Sequence, residues 1–256
     1  MMRRLVLSVA TALALATAAT PALAAGEAEH PRQQEWSFSG IFGTYDRAAV
    51  QRGFQVYKEV CSACHALMQK SYRHLSQIGF SEDEIRAIAA QYQVQDGPND
   101  EGEMFERPAR AADRFKRPFP NEQAARAANN GAYPVDLSLI VKARHDGANY
   151  VYSLLTGYKD APAGKEVGEG MYYNPYFPGA QIGMASPLNP DAVTYADGTK
   201  ATVEQMAKDV TYFLAWAAEP ELEARKRLGV QSVLFLIVLS CMLYAVKRKV
   251  WADVHH

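Results

Sequence analysis

Five consecutive residues, Cys61-Ser62-Ala63-Cys64-His65, constrain the fold of this chain more than any other feature. The pattern C-x-x-C-H is typical of covalent c-type haem attachment, in which two thiols add to the vinyl groups of a porphyrin and the histidine binds iron. On a helical turn, residues three and four positions apart share a face. Both sulfur atoms can therefore reach one edge of the porphyrin while the histidine approaches the metal from the same side. The motif predicts one haem c, bound covalently by Cys61 and Cys64, with His65 as an axial ligand.

Two other interpretations of the cysteines stay open on the residues alone. A thioredoxin-like dithiol also uses C-x-x-C, but it needs a strand-helix-strand context that is hard to find in this chain. A structural zinc site needs four ligands, and the only further cysteine, Cys241, lies in an apolar segment near the carboxyl end. Cys241 itself is typical of an inert apolar residue. Haem attachment is the stronger hypothesis.

Apolar residues at helical spacing flank the motif and favour a mainly α fold. One stripe, on a helix that Asp46 could cap, consists of Val50, Phe54, Tyr57 and Cys61. Gly53 on this helix would let a second helix cross closely. That second helix follows the capping box Thr202-x-x-Gln205 and stops at Glu219-Pro220. We expect a cytochrome c-type haem domain with long loop insertions, plus one carboxyl-terminal transmembrane helix.

The iron has another axial position, opposite His65, and the ligand there influences the redox potential. Met184 is the favoured candidate because it lies in a Gly- and Pro-punctuated apolar loop, residues 179–187, which could lay a thioether against a metal. Other ligands stay open on the sequence alone, namely Met104, Met171 and, for bis-histidine ligation, His74 and His145.

Both ends of the chain indicate an exported membrane protein. Residues 1–24 contain Arg3 and Arg4, an apolar stretch and the small-residue pattern Ala22-Leu23-Ala24, which are typical of a cleaved signal peptide. Residues 228–246 form a run of 19 residues without a formal charge, which is long enough to cross a bilayer once, although a buried core helix is an alternative.

These signals divide the chain into four expected parts. They are a signal peptide (1–24), a periplasmic haem-binding domain (25–224), a transmembrane anchor (225–248) and a cytoplasmic tail (249–256). The expected location is the bacterial inner membrane, with a single membrane crossing and the haem domain in the periplasm.

The charge of the exported part excludes one class of partner. Residues 25–224 carry 19 Lys and Arg against 27 Asp and Glu, a balance of about −8. Nucleic acid is therefore not an expected partner. Acidic residues are concentrated between Glu82 and Glu106, and Arg86 is the only basic residue in that range. This acidic stretch would attract a basic soluble protein, unless it is simply a solvated loop.

Segments throughout the chain carry a resemblance to a known family. They are residues 52–57 leading into the motif, 127–132, 136–138, 143–145, 150–158, 173–179, 182–184 and 213–220, with the carboxyl-terminal anchor and its basic tail. In these segments the chain resembles the cytochrome c1 family of the respiratory and photosynthetic cytochrome bc1 complex. One departure is that some bacterial relatives carry a disulfide in the ligand-loop region, whereas this chain has no cysteine between Cys64 and Cys241.

The resemblance implies roles for individual residues. It implies that Met184 is the sixth iron ligand and that Arg144 and Tyr150 contact a haem propionate. A guanidinium beside a buried carboxylate keeps that carboxylate charged, and the contact would raise the haem potential.

The resemblance also implies an electron carrier without a catalytic site of its own. The chain would serve a quinol:cytochrome c oxidoreductase, a dimeric complex of several subunits that includes cytochrome b. A Rieske iron-sulfur protein would deliver electrons, and a soluble cytochrome c or c2 would accept them. The alternatives are a membrane-anchored c-type cytochrome that donates directly to a reaction centre or terminal oxidase, a haem enzyme such as a peroxidase, and an exported thiol oxidoreductase.

Overall fold

The structure, a computed structural model, describes residues 28–254, so the predicted signal peptide lies outside the described residues. In this range the protein is mainly helical, and the predicted fold class is confirmed. The helices are α1 (Arg47–Glu59), α2 (Glu82–Ala89), α3 (Glu122–Ala128), α4 (Ile140–Ala143), α5 (Gly147–Leu155), α6 (Val203–Ala218) and α7 (Leu222–Val250), with 3-10 turns at Cys61–Ala63, Tyr72–Ile78 and Pro178–Ala180.

Short strands form two antiparallel ribbons. The strands are β1 (Gln93–Asp96), β2 (Phe105–Pro108), β3 (Tyr172–Tyr173) and β4 (Gln181–Ile182). In the β1–β2 hairpin, Arg107 binds the carboxylates of Asp96 and Asp113, which ties the hairpin to the segment that follows it. The β3–β4 ribbon leads directly into the loop that contains Met184.

The core forms where α1 crosses α6, as expected from their apolar stripes. The stripe residues in the core are Val50, Phe54, Tyr57, Met206, Val210 and Phe213. A Cβ on Gly53 would collide with the backbone carbonyl of Asp209, so glycine permits this close approach. Beside it, Arg52 donates two hydrogen bonds of 3.0 Å to the buried carboxylate of Asp209. This bidentate pair fixes the register of α1 on α6.

Side-chain caps fix where these two helices begin. Asp46 accepts a hydrogen bond of 3.1 Å from the backbone N–H of Ala49, and Thr202 accepts one of 3.1 Å from Gln205. Each cap satisfies an N–H group that has no partner within its helix. Helix α1 ends at Glu59 and the turn of the cysteine motif begins at Cys61, so the direction of α1 determines where the motif lies.

Helix α7 is the one helix within residues 28–254 that is long and apolar enough to cross a membrane. Its 29 residues correspond to about 43 Å, which matches the thickness of a bilayer with its headgroups. The side chains of its apolar part are exposed, and the helix contains the predicted span 228–246. Only residues 219–221 separate it from α6. There the Tyr45 hydroxyl lies 3.1 Å from the carbonyl oxygen of Ala215 and 3.0 Å from that of Glu219.

Candidate haem site

The cysteine motif forms a single tight turn after α1. The backbone N–H groups of Cys64 and His65 donate to the carbonyl oxygen of Cys61, at 3.1 and 2.9 Å. The turn is a 3-10 turn, tighter than the α-turn of a regular helix. It brings the two thiols and the imidazole into one turn, which is the arrangement that the spacing predicts.

The two thiols of the motif are free. Burial, with a smaller contribution from Cys64, raises the pKa of the Cys61 thiol to about 12. Thioredoxin-like dithiols have the opposite property, because their reactive thiol has a lowered pKa. No group of three or more His, Cys, Asp and Glu side chains in residues 28–254 could hold a metal ion by itself. The raised pKa of the Cys61 thiol therefore disfavours the dithiol interpretation, and the lack of such a group within residues 28–254 disfavours the zinc interpretation.

The imidazole of His65 is held by a backbone carbonyl far along the chain. Its Nδ1 lies 2.8 Å from the carbonyl oxygen of Val135. A carbonyl oxygen only accepts hydrogen bonds, so Nδ1 carries the proton and Nε2 keeps its lone pair for a metal. Burial lowers the pKa of His65 and favours the neutral ring, while the Val135 carbonyl and the Asp136 charge oppose this shift.

A clamp of hydrogen bonds holds the segment after His65 against residues 136–138. The backbone N–H of Leu137 donates to the carbonyl oxygen of Ala66 at 2.9 Å. Asp136 accepts from the N–H of Met68 at 2.8 Å and from that of Ser138 at 2.9 Å, and the buried Ser138 hydroxyl accepts from the N–H of Gln69 at 3.0 Å. This His65 clamp fixes the backbone directly after His65 beside the segment that contains Val135.

Met184 approaches the same stretch of chain. Gly183 precedes it, and a Cβ on Gly183 would lie 3.2 Å from the Cβ of Ala132 and 3.6 Å from the sulfur of Met171. The Tyr158 hydroxyl donates a hydrogen bond of 3.0 Å to the carbonyl oxygen of Met184. The Met184 loop therefore contacts Ala132, three residues before Val135, whose carbonyl oxygen lies against the His65 ring.

The other candidate axial ligands are placed differently. Met171 lies beside the Met184 loop, as its contact with Gly183 shows. Met104 is exposed in the loop between β1 and β2. His74 Nδ1 accepts a hydrogen bond of 2.9 Å from the N–H of Ser71 and caps a 3-10 turn. The side chain of His145 is 99% exposed. Of the four, only Met171 shares the surroundings of Met184.

The structure brings Arg144 and Tyr150 together. Tyr150 is buried on α5, and Arg144, which is exposed at the end of α4, lies close enough to influence the phenol electrostatically. The hydrogen bond of the Arg144 guanidinium goes from Nη1 to the carbonyl oxygen of Ala143, at 3.2 Å. Burial raises the pKa of Tyr150, and the Arg144 charge opposes that shift. Tyr158 also has a raised pKa, first because of its burial and then because of the neighbouring Tyr150. A cation and a hydroxyl therefore meet next to the tyrosine that holds the Met184 carbonyl.

The donor set fits a single haem c. Two free thiols and one neutral imidazole lie on one turn, a thioether lies in an adjacent loop, and a cation with a hydroxyl could receive a carboxylate. Sequence reasoning missed Val135 and Tyr158, because a backbone carbonyl and a distant hydroxyl have no local pattern. The Asp136-Leu137-Ser138 segment does carry a signal, since an aspartate that accepts from the N–H two residues on is typical of an Asx turn.

Comparison with known proteins places this geometry in context. The model of the Cytochrome C1 family matches residues 36–254. Cytochrome c1-2, a mitochondrial heme protein of Solanum tuberosum, is 53% identical over 228 residues, covering 88% of this chain and 87% of its own length. Cytochrome c1 of Rhodospirillum rubrum is 52% identical over 240 residues, covering 88% of each chain. Cytochrome b/c1 of Bradyrhizobium diazoefficiens is 50% identical over 249 residues, covering 89% of this chain and 36% of its own length.

Proposed function

The chain belongs to the cytochrome c1 family, and we propose that its electron-transfer site consists of the motif from Cys61 to His65 together with Met184. As a member of this family, it is a haem protein, the electron-transfer subunit of a cytochrome bc1 complex that also contains cytochrome b. The haem, when bound, supplies a one-electron couple between ferric and ferrous iron. The residues of the chain attach it, ligate it and control its surroundings.

Cys61 and Cys64 are the proposed attachment points, and His65 is the proposed proximal ligand. The observation that carries this assignment is the hydrogen bond from His65 Nδ1 to the Val135 carbonyl oxygen, because it leaves Nε2 unprotonated on the same turn as two free thiols. The His65 clamp keeps the ring in one orientation, so that little rearrangement is needed when the charge of the metal changes.

Met184 is the proposed distal ligand. Its loop is supported by the β3–β4 ribbon, by the contact of Gly183 with Ala132, and by the hydrogen bond from Tyr158. A thioether ligand favours the reduced state and raises the potential relative to a second histidine. If His65 and Met184 both held the iron, no coordination position would be left open for a substrate, which would suit an electron carrier better than a peroxidase.

Arg144 and Tyr150 are the proposed partners of a haem propionate. The charge of Arg144 acts on the Tyr150 phenol, so a carboxylate placed beside them would meet both a cation and a hydroxyl donor. The exposure of Arg144 allows its guanidinium to reorient toward such a carboxylate.

An iron-sulfur subunit is the proposed electron donor, and a soluble cytochrome c or c2 is the proposed acceptor. The acidic stretch supports a basic acceptor. Within it, Arg86 pairs with Glu82 and Asp83, while Arg107 pairs with Asp96. Four acids form no ion pair within residues 28–254; they are Asp100, Glu101 and Glu103 in the turn of the β1–β2 hairpin and Glu106 on the adjoining part of β2. This acidic tip is exposed, so its negative electrostatic field can attract a basic electron acceptor.

We propose a periplasmic haem domain, with residues 249–256 in the cytoplasm. The protein is anchored in the membrane by α7, which has Arg225 and Lys226 near its start and Lys247 to Lys249 near its end. The predicted signal peptide supports export of the amino-terminal side, and the complex is proposed to be a dimeric assembly of several subunits.

The proposed function is tested on the complex isolated from native membranes through a tag on this chain. We expect quinol to reduce its haem c only when the iron-sulfur subunit is present, and soluble cytochrome c to reoxidise it. Haem should stay with this polypeptide in acidic organic solvent, because thioether bonds survive that treatment. Release of the pigment, or quinol-dependent reduction without the iron-sulfur subunit, would contradict the proposal.

A further inference from the structure

A second apolar feature lies outside the membrane helix, in the loop formed by residues 38–43. Its tip contains Ile41 and Phe42, whose side chains are 68% and 83% exposed. Among the described residues, Phe42 is more exposed than any other large apolar side chain, including those of α7. Isolated exposed apolar side chains are common, but an apolar tip next to a membrane helix is a candidate for contact with another phase or molecule.

The loop has a defined conformation that keeps this tip outward. Thr44 donates from its backbone N–H to the carbonyl oxygen of Ser37 at 3.0 Å, and the Ser37 hydroxyl donates to the carbonyl oxygen of Thr44 at 2.8 Å. A Cβ on Gly43 would collide with the carbonyl oxygen of Ser39, so the turn closes tightly only because residue 43 is glycine. Ile41 and Phe42 therefore cannot fold back onto the core without opening the loop.

The loop is fastened to the start of the membrane helix. Lys226 donates from Nζ to the carbonyl oxygens of Phe38 at 2.6 Å and Gly43 at 3.2 Å, so that one ammonium group holds both ends of the loop. One turn earlier on α7, Glu223 accepts from the N–H of Tyr45 at 2.8 Å and pairs with Arg47 at 2.8 Å. These contacts place the loop beside α7 at the point where its apolar part begins.

The order of these contacts gives the direction in which the tip points. Arg47 contacts Glu223 on α7, whereas Gly43, four residues earlier in the chain, contacts Lys226. Lys226 lies about 4.5 Å further along the helix axis than Glu223. This direction is toward residues 228–246, the part of α7 that crosses the bilayer. Ile41 and Phe42 lie beyond Gly43 and so extend the same path.

We propose that Ile41 and Phe42 insert into the headgroup region of the bilayer that α7 crosses, as a second contact between the head domain and the membrane. Apolar and aromatic side chains next to basic residues are suited to this interface, since the apolar groups enter the acyl boundary and the cations meet anionic headgroups. Arg227 is exposed and supplies basic charge here, while Arg225 pairs with Glu219 and Lys226 holds the loop. The contact requires only that α7 spans the membrane, and it does not depend on the haem ligation proposed above.

Spin labelling of the intact complex tests this contact. A nitroxide is attached at Phe42→Cys or, separately, at Ile41→Cys, in a chain that also carries Cys241→Ala. The complex is placed in nanodiscs of phosphatidylcholine and phosphatidylglycerol. Collisions of the label with oxygen, which concentrates in lipid, are compared with collisions with a water-soluble nickel chelate. The matched control is Lys200→Cys, an exposed site on the loop before α6. The Cys241→Ala chain without a new cysteine gives the background.

We expect the ratio of oxygen collisions to nickel collisions to be higher for labels at positions 41 and 42 than for the label at position 200. The spectra of the labels at positions 41 and 42 should show that the nitroxide is mobile. A ratio equal to that of the control would mean that the tip lies in water and would overturn the proposal. An immobilised spectrum shielded from both reagents would mean that a protein surface, such as cytochrome b, covers the tip, and would also overturn it. Because both side chains are exposed, neither substitution removes a core contact, and each position gives an independent result.

Discussion

The hydroxyl of Tyr158 donates a hydrogen bond of 3.0 Å to the backbone carbonyl oxygen of Met184, which joins the segment after α5 to the loop that follows the β3–β4 ribbon. Tyr158 in turn lies close enough to Tyr150 for that phenol to raise its pKa further, beyond the effect of burial. The proposed ligand loop is therefore held by the same tyrosine pair that adjoins Arg144. This relationship suggests that the position of the sulfur atom depends on a group that never touches the metal.

Tyr158→Phe should loosen the Met184 loop without emptying the core. The lost hydrogen bond should lower the free energy of unfolding by about 1 kcal/mol, measured by urea denaturation of the haem-loaded chain. The midpoint potential should fall, and carbon monoxide should bind to a fraction of the ferrous protein, because the sulfur is held less firmly. Tyr172→Phe is the control, since Tyr172 lies on β3 with an exposed side chain. Equal effects of the two substitutions would contradict a positioning role for Tyr158.

Met184→Leu should leave the haem covalently attached but remove one ligand of its iron. The potential should drop by a sizeable part of the range of about 0.8 V over which axial ligands set haem potentials. Carbon monoxide should bind, and electron transfer through the complex should be impaired. Met171→Leu is the matched control, because Met171 lies beside the same loop. If Met171→Leu produces these changes and Met184→Leu keeps the parent spectrum, the ligand assignment is wrong.

Asp136→Ala should weaken the His65 clamp. The carboxylate accepts backbone hydrogen bonds from Met68 and Ser138, and both N–H groups would lose their partner. We expect a loss of about 1–3 kcal/mol in the free energy of unfolding, measured with urea on the haem-loaded chain. Asp160→Ala, at an exposed aspartate with no side-chain hydrogen bond or ion pair within residues 28–254, should change it by no more than about 0.5 kcal/mol. A loss at Asp136 as small as that at Asp160 would show that the clamp adds little to stability.

The Arg107–Asp113 pair should give the fold an acid-sensitive component. Hydrogen bonds from Arg107 hold the pKa of Asp113 below its usual value. Folding therefore favours the ionised carboxylate, so the stabilisation is fully present above the ordinary aspartate pKa of about 4 and is lost as the pH falls toward the lower folded value. Urea midpoints measured at successive pH values should decline less steeply on the acid side for Asp113→Asn than for the parent. If the urea midpoints of the parent and of Asp113→Asn fall equally steeply as the pH is lowered, the ionisation of Asp113 does not contribute to this acid sensitivity.

Neutralising the acidic tip should slow electron delivery to a basic acceptor. Glu101→Gln combined with Glu103→Gln should lower the rate of cytochrome c reduction by the complex at low ionic strength, with the difference shrinking as salt is added. The control is Glu35→Gln combined with Glu204→Gln, which removes the same charge from other exposed positions. Equal slowing by both pairs would indicate an effect of net charge only, and no slowing would remove the acidic tip from the docking surface.

Local features of this fold could be predicted from the sequence, because their causes are local. The apolar stripes of α1 and α6 follow the helical repeat, and Gly53 indicates the close crossing that Asp209 occupies. The motif specifies its own turn through its spacing. The transmembrane helix follows from hydropathy and length alone.

The remaining site geometry depends on contacts between distant segments. Val135 lies 70 residues from His65. Every residue has a backbone carbonyl, so the sequence does not indicate which one binds the His65 ring. Tyr158 is one of 14 tyrosines, and only the tertiary fold places its hydroxyl at Met184. The ribbons are also poorly signalled, because strands of two to four residues are too short for an alternating pattern.

The crossing of α1 and α6 at Gly53 and Asp209 has a mechanical consequence. The helix that leads into the cysteine motif packs against α6 at this crossing, and α6 connects to α7 through residues 219–221. The Tyr45 hydroxyl lies 3.1 Å from the carbonyl oxygen of Ala215 and 3.0 Å from that of Glu219, where α6 ends and this connection begins. The proposed haem motif is thus linked to the membrane anchor through packed helices and a connection of three residues. We expect this short linkage to hold the motif at a set height above the bilayer, so that changes in the electron-transfer distance come from movement of its partners.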